Sequence, residues 1–411
     1  MAKDNSTFFI RKNSWSEIKD RLLSGYLPQY FQKLLMTNKP IVYVDCFAGK
    51  GKFDDGGDGS PRIALKIRDD CIGRTNSQNA RIDGCFIDLN YADELTTNIA
   101  DYCNCNGTPV VISGKYEEKI ETLLSDKLGK NVFLYIDPYG IKALDYGLFS
   151  KFANYGFNSI EMLINMNSFG FFRDACRVMR VDYKNDEALY NLDDIVEYEP
   201  TEVDVSQQSE MLLNSIAGGD YWKAIVRDYK AGKIDGYQAE KRFSTEYKQR
   251  LRQMYTYVLD MPIRMKSGQR PKYRMIHVCN HEQGCILMAD NMSSRFDELF
   301  IDIQNQGQLI LFDYTPENVI IDRNDIQAKM LIFLSNFPNG MTADKLIAAF
   351  FTEYGVLCKS GTIREIWRDM EKRGAIEVTR IPPTTPSTGR PSNFFTEDKR
   401  KKQSVTIRRK P

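Results

Sequence analysis

Short apolar runs alternate with amphipathic segments over the first 170 residues of the chain. Five of the runs are rich in β-branched and aromatic residues and end abruptly in polar or turn residues, as buried parallel strands do. They end near Asp45, Asp88, Ser113, Asp137 and Met166. The stretches between them have helical periodicity. This alternation predicts an α/β fold with a doubly wound, Rossmann-like sheet.

The pattern changes in the middle of the chain. Residues 180–257 are polar and then helical in pattern, so we predict a helical insertion there. The predicted α/β sheet domain comprises residues 37–179 and 258–313, and an N-terminal helical segment covers residues 1–36.

The last 90 residues predict a separate module. Three helical segments, a strand at residues 375–381 and a Pro- and Gly-rich tip describe a winged helix-turn-helix domain over residues 320–397. We predict that residues 393–395 return as the partner of the strand. Residues 398–411 then form a basic tail.

Charge is unevenly distributed, although the net charge is only +1. Residues 322–411 contain 17 Lys and Arg against 10 Asp and Glu, which favours a polyanion-binding end. A solubilising tail and a protein-docking module are the open alternatives. We expect nucleic-acid contacts, to DNA or RNA, at Lys359, Arg364, Arg368, Arg390, Lys399, Arg400, Lys401 and Lys402.

Apolar runs, cysteines and histidines argue against a membrane protein, a secreted protein and a metal-binding protein. No apolar run approaches the roughly 18 residues of a membrane span, and the first residues lack a signal-peptide core. Nine scattered cysteines and two histidines indicate free thiols in a reducing compartment and no metal site. We therefore expect a cytoplasmic protein without a membrane partner.

The turn after the first strand carries the first chemical signal. Gly49 and Gly51 permit positive φ and close approach of a ligand to the backbone. Asp88 ends the second strand, where a carboxylate can accept hydrogen bonds from both hydroxyls of a ribose. The Gly-Lys-Ser/Thr of a phosphate-binding P-loop is absent, so S-adenosylmethionine fits better. A structured βα turn and a solvated turn acid are the alternatives.

Asp137, Pro138 and Tyr139 end the fourth strand and carry the second signal. Pro138 stiffens the turn, and Asp137 can accept a hydrogen bond from a nucleophilic amine. Tyr139 can stack on a flipped base. An ordinary Asp-Pro turn is the alternative.

These motifs together resemble class I methyltransferases, and Asp137-Pro138-Tyr139 resembles the Asp-Pro-Pro-Tyr element of amino-group DNA and RNA methyltransferases. Residues 10–300 resemble the three-Cys-motif partner family more narrowly. The shared segments are the early helix with Lys19 and Tyr26, Phe47-Ala48-Gly49-Lys50-Gly51, Gly59-Ser60-Pro61, Phe133–Gly140, and Val278-Cys279-Asn280-His281 with Gly284 and Met288.

The resemblance implies a methyltransferase-like protein encoded beside a three-Cys-motif protein that resembles radical-SAM enzymes. It places substrate chemistry at Asp137 and Tyr139, with Pro138 between them. It places cofactor contacts at Asp45, Gly49, Gly51 and Asp88, and we add Phe47 from the same loop.

Three functions stay open. The first is a methyltransferase that uses S-adenosylmethionine to methylate an amino group of a nucleic-acid base. The second is a degenerate nucleic-acid-binding partner of the three-Cys-motif protein in phage defence or a mobile element, because one proline of the wider element is missing and Gly140 follows Tyr139. The third is a transcriptional regulator that senses a nucleoside ligand.

Overall fold

The structure is a computed structural model. It describes residues 14–75, 80–138, 140–190, 207–263, 273–305, 322–386 and 388–410. The chain divides into two compact units, Met1–Cys279 and Asn280–Pro411.

The first unit is a mixed α/β structure around a seven-stranded, mostly parallel sheet. Its strands are β1 (Ile41–Asp45), β2 (Ile82–Asp88), β3 (Val110–Ser113), β4 (Asn131–Ile136), β5 (Ser159–Met166), β6 (Tyr257–Ile263) and β7 (Tyr273–Cys279). The strand order is β3-β2-β1-β4-β5-β7-β6, and β7 runs antiparallel to both of its neighbours. This order is compatible with a Rossmann-like fold. The five predicted strands and the late strand β7 are confirmed.

Strand β6 was not predicted, because its sequence contains an acid and a proline. Pro262 is tolerated because β6 lies at the edge of the sheet, where a missing N–H costs no ladder bond. Asp260 is paired with Arg274 of β7 and with Lys248, each at 2.5 Å. The contacts of β6 with β7 and Lys248 therefore outweigh the unfavourable strand propensity of its acid and proline.

Helices cover the sheet and supply the rest of its core. They are α1 (Ser14–Leu35), α2 (Ser60–Gly73), α3 (Ala92–Asn98), α4 (Tyr116–Ser125), α5 (Tyr146–Ala153), α6 (Ser168–Val178), α7 (Glu187–Tyr190), α8 (Gln207–Ala217), α9 (Trp222–Lys230) and α10 (Gly236–Leu251). Every residue of β1 and β4 is buried. Trp222 and Phe243 of the helical insertion share one apolar core with β4 and β5, so the insertion is built into the sheet unit.

The second unit contains four helices and a small antiparallel sheet within its described residues. These are α11 (Glu282–Asn305), α12 (Arg323–Ser335), α13 (Ala343–Tyr354), α14 (Ser360–Lys372), β8 (Met341–Thr342), β9 (Ile376–Ile381) and β10 (Ser404–Arg409). The sequence assigned α11 to the sheet domain, which was predicted to extend to residue 313. The structure groups α11 with the second unit, where Asp290 accepts hydrogen bonds from the amide and hydroxyl of Ser360, both at 2.6 Å.

The partner of β9 differs from the prediction. Strand β10 pairs with β9, whereas residues 393–395 were expected to do so. Val405 and Ile407 alternate with polar residues and are fully buried, which is the pattern of a half-buried strand. Phe395 instead packs against Trp367, with 6.1 Å between the ring centroids. The expected basic tail is therefore partly a strand.

Candidate functional site

Two acids flank the point where the strand order of the large sheet reverses. The chain passes from β1 to β2 and β3 on one side, then crosses to β4 on the other side of β1. Ligands of open α/β sheets bind outside the carboxyl ends of the strands at such a switch point. Asp45 ends β1, opposite Tyr135 of β4, and Asp137 follows β4 directly. Asp88 ends the neighbouring strand β2.

Asp45 is a fully buried acid. Burial raises its pKa to about 7, although hydrogen bonds from the Ser60 side chain and the Phe47 amide act in the opposite direction. The charges of Asp137 and Asp88 add to the rise, so the three acids lie close enough to repel one another. Near neutral pH, a positive group placed beside Asp45 would therefore be favoured.

Asp137 is held by three neighbours. Lys19 Nζ of α1 lies 2.8 Å from Asp137 Oδ1 and 2.6 Å from Oδ2. Asn165 Nδ2 donates to Oδ1 at 2.7 Å, and the Tyr135 hydroxyl donates to Oδ2 at 3.3 Å. An ammonium group already occupies the acceptor atoms that the sequence analysis assigned to a substrate amine.

A buried polar cluster holds α1 in place. The Tyr26 hydroxyl donates to Glu161 Oε2 of β5, and His277 Nε2 of β7 lies 3.0 Å from the same oxygen. Tyr26 follows Lys19 by seven residues, which places both side chains on the same face of the helix. The cluster therefore fixes the helix that carries Lys19 to Asp137.

Asp88 organises the loop after β1. Its Oδ2 accepts a hydrogen bond from the Gly49 amide at 2.8 Å, and its Oδ1 accepts from the amides of Asn90 and Tyr91 at 2.9 and 2.7 Å. A carboxylate has about four acceptor positions, so roughly one remains for a ribose hydroxyl. A structured turn thus accounts for three of the hydrogen bonds that Asp88 can accept.

The two glycines of the loop have different roles. Gly49 has φ of 60°, which directs its amide to Asp88. Gly51 has φ of 72°, and a Cβ atom there would lie 2.7 Å from Leu95 Cδ1 of α3. The positive φ and the contact with the Leu95 side chain both favour glycine at position 51. The Phe47 ring lies 5.2 Å from the Tyr116 ring and lines the same turn.

Two buried hydrogen-bond acceptors at the carboxyl edge of the sheet show which kind of ligand group would be complementary to it. Among the described residues, Asp45 Oδ2 and Asn165 Oδ1 have no hydrogen-bond partner. Asn165 Oδ1 accepts hydrogen bonds only, as does Asp45 Oδ2 when Asp45 is ionised, and an unpaired buried acceptor costs about 1–3 kcal/mol. A ligand N–H group that reached either atom would satisfy it. The amino group and positive charge of S-adenosylmethionine fit this donor requirement.

The turn after β4 is only partly described. Gly140 has φ of 102° and donates its amide to the Pro138 carbonyl at 3.0 Å, so the turn is tight. Tyr139 lies outside the described residues, and its predicted stacking on a base stays a prediction.

The predicted nucleic-acid contacts of the second unit fall into two groups. Lys359 lies 3.6 Å from Asp297, Arg368 lies over the Phe395 ring, and Arg364 donates to the Ser360 hydroxyl at 2.8 Å and to the Phe395 carbonyl at 3.3 Å. These three side chains have contacts within the unit. The second group lies in the connection between β9 and β10 and consists of Arg390, Lys399, Arg400, Lys401 and Lys402. Lys359 and Arg368 are exposed as these five are, and Lys401 lies 3.7 Å from Asp398.

The sequence did not assign Asn165 to the site, and Lys19 was named only through the family resemblance. Asn165 is a polar residue near the end of an otherwise apolar strand, which is a usable signal. Lys19 lies on the apolar face of a predicted helix, where a base is unexpected. The part of the chain that the structure describes contains no cluster of three or more metal-ligating side chains and no helix able to cross a membrane.

Comparison with known proteins adds no assignment. No protein-family model, curated protein or solved structure matches this chain.

Proposed function

We propose that the protein binds S-adenosylmethionine at the carboxyl edge of the large sheet and methylates an amino group of a nucleic-acid base. The observation that carries the proposal is the convergence of Asp45 and Asp137 on the strand-order switch point. The order β3-β2-β1-β4-β5-β7-β6 resembles the sheet of class I methyltransferases. The bound cofactor would supply an electrophilic methyl group.

The chain's own residues would bind and orient the reactants. Asp45 would hold a positive group of the cofactor, and the loop from Phe47 to Gly51 would cover it. Asp137 would accept a hydrogen bond from the target amine after Lys19 has moved aside. Most of the rate enhancement would then come from positioning.

The second unit supports a nucleic-acid substrate. Three helices, α12 to α14, precede the β9–β10 hairpin, and we propose that they form a winged helix-turn-helix domain. The exposed bases of the hairpin connection, at Arg390 and from Lys399 to Lys402, would contact phosphates without reading sequence.

The Lys19–Asp137 ion pair favours a second candidate function. If the ammonium of Lys19 remains on Asp137, that carboxylate has no free acceptor position for a target amine. The protein would then bind nucleic acid as the partner of a three-Cys-motif protein and transfer no methyl group.

Transfer of a tritiated methyl group to mixed DNA and RNA separates the candidates. The first predicts transfer by the wild type, loss in Asp137→Asn, and unchanged cofactor binding by that variant. The second predicts cofactor or nucleic-acid binding without transfer. Full activity of Asp137→Asn would exclude the catalytic role of this carboxylate.

A further inference from the structure

Four exposed bases are gathered at one end of the small sheet in the second unit. Lys372 is the last residue of α14 and Arg373 is its C-cap, whereas Arg409 is the last residue of β10 and Lys410 follows it. Arg409 pairs in register with Ile376, the first residue of β9, and the Lys410 amide donates to the Ala375 carbonyl at 3.2 Å. The sequence separates the two pairs by 35 residues, and the strand pairing brings them together.

The ammonium group of Lys410 also lies near the end of α14. A Cβ atom on Gly374 would lie 3.8 Å from Lys410 Nζ, and Gly374 directly follows Arg373. We call the set Lys372, Arg373, Arg409 and Lys410 the C-terminal basic patch.

The acids near this patch are engaged with other bases. Glu377 pairs with Arg408 at 2.7 Å, and Glu371 pairs with Arg380 at 2.7 Å through both oxygens. Among the described residues, no acid lies within ion-pair distance of the four patch side chains. The favourable effect of bases at a helix C-terminus explains Lys372 and Arg373 but not the two residues of β10.

We propose that the C-terminal basic patch is a phosphate-backbone contact for nucleic acid, a role that rests on the proposed function. Its two arginines can donate to a phosphate through two parallel N–H bonds, as a planar guanidinium does. Within the described part of this unit, the exposed large apolar residues are Ile332 and Ile381, and neither adjoins the patch in sequence or strand register. The patch therefore lacks the apolar anchor of a membrane-binding surface.

The patch and the turn from Lys399 to Lys402 lie at opposite ends of β10. Six residues of strand separate them by roughly 20 Å at about 3.3 Å per residue. One duplex strand spans this distance in about six nucleotides, at roughly 3.4 Å each. A backbone tracking along the hairpin would meet both basic groups.

The test measures binding of the full-length chain to a short fluorescent DNA duplex and to an RNA, by anisotropy at about 50–200 mM KCl. The patch variant is Arg373→Gln with Arg409→Gln. The control, Lys66→Gln with Lys345→Gln, removes the same charge from two exposed sites. A second patch variant, Lys372→Gln with Lys410→Gln, guards against a folding defect in the first.

We expect the patch variants to bind roughly tenfold or more weakly at 100 mM salt, and their log–log salt slope on duplex DNA to fall by about two. The control should bind like the wild type. An equal loss in patch and control variants would overturn the proposal. So would unchanged affinity of both patch variants, or binding of phosphatidylserine vesicles with no binding of nucleic acid. Cofactor titration of the same samples reports separately on the sheet site.

Discussion

Two buried clusters of charged side chains in the first unit differ in whether their acids are matched by bases. The first joins the insertion to the sheet: Arg274 donates to Glu240 at 2.6 and 3.0 Å and to Asp260 at 2.5 Å, and Lys248 pairs with Asp260. The second lies at the carboxyl edge, where Lys19 pairs with Asp137 and Asp45 has no basic partner among the described residues.

The pKa values follow this difference. Burial alone would raise the pKa of Glu240 and of Asp260, yet both are lowered, because Arg274 donates to each and Lys248 to Asp260. Asp45 has no such partner in the described chain, and its pKa rises to about 7. We infer that the balanced cluster stabilises the fold and that the unbalanced one is prepared for a cationic ligand.

The largest effect is expected in the balanced cluster. Arg274→Met leaves two buried carboxylates without their shared partner, so we expect a loss of about 3–5 kcal/mol in the free energy of unfolding. Urea denaturation followed by fluorescence measures it. Arg81→Met is the control, since Arg81 is 69% exposed and pairs with Asp83 at the surface. If the two variants lost the same free energy of unfolding, the buried cluster would stabilise the protein no more than a surface ion pair does.

Substitution of Asp45 is expected to stabilise the protein, whereas substitution of Arg274 destabilises it. Its folded pKa is raised, so the folded state binds more protons than the unfolded state between about pH 4 and 7, and stability falls as pH rises through this window. Asp45→Asn should remove that dependence and stabilise the unliganded protein near pH 8 by a few kcal/mol, since one pKa unit is worth about 1.4 kcal/mol. Thermal unfolding from pH 4 to 8 measures it. If Asp45→Asn is less stable than the wild type and its stability depends on pH in the same way, ionisation of Asp45 does not cause the pH dependence.

Substitutions at Lys19 test whether its ion pair with Asp137 stabilises the fold. Lys19→Met leaves Asp137 with only the Asn165 and Tyr135 hydrogen bonds, so we expect a loss of about 1–3 kcal/mol. The double variant Lys19→Met with Asp137→Asn removes both charges and should recover part of that loss. If the double variant loses the sum of the two single losses, Lys19 and Asp137 do not stabilise each other.

The smallest effect concerns ligand affinity and pH. A cation beside Asp45 favours the ionised acid, so cofactor affinity should rise with pH by at most tenfold per unit up to about pH 7 and then level off. Titration calorimetry at pH 6, 7 and 8 would show this. A flat profile in the wild type would place the positive group of the cofactor away from Asp45.

The sequence predicted the strands that carry the site better than it predicted the contacts of the site. Apolar runs ending in Asp45, Asp88 and Asp137 are local signals, and the predicted strand ends are confirmed. The position of Lys19 depends on the packing of α1, which no local pattern encodes. Strand β10 was missed because its bases resembled a tail, although Val405 and Ile407 alternate as a strand requires.

Calorimetric titration of S-adenosylmethionine into the wild type and into Asp45→Asn tests the central claim most directly. We expect saturable binding with one site per chain in the wild type, with proton release near pH 7, and at least a tenfold loss of affinity in the variant. No binding by the wild type, or equal binding by a folded Asp45→Asn variant, would contradict it.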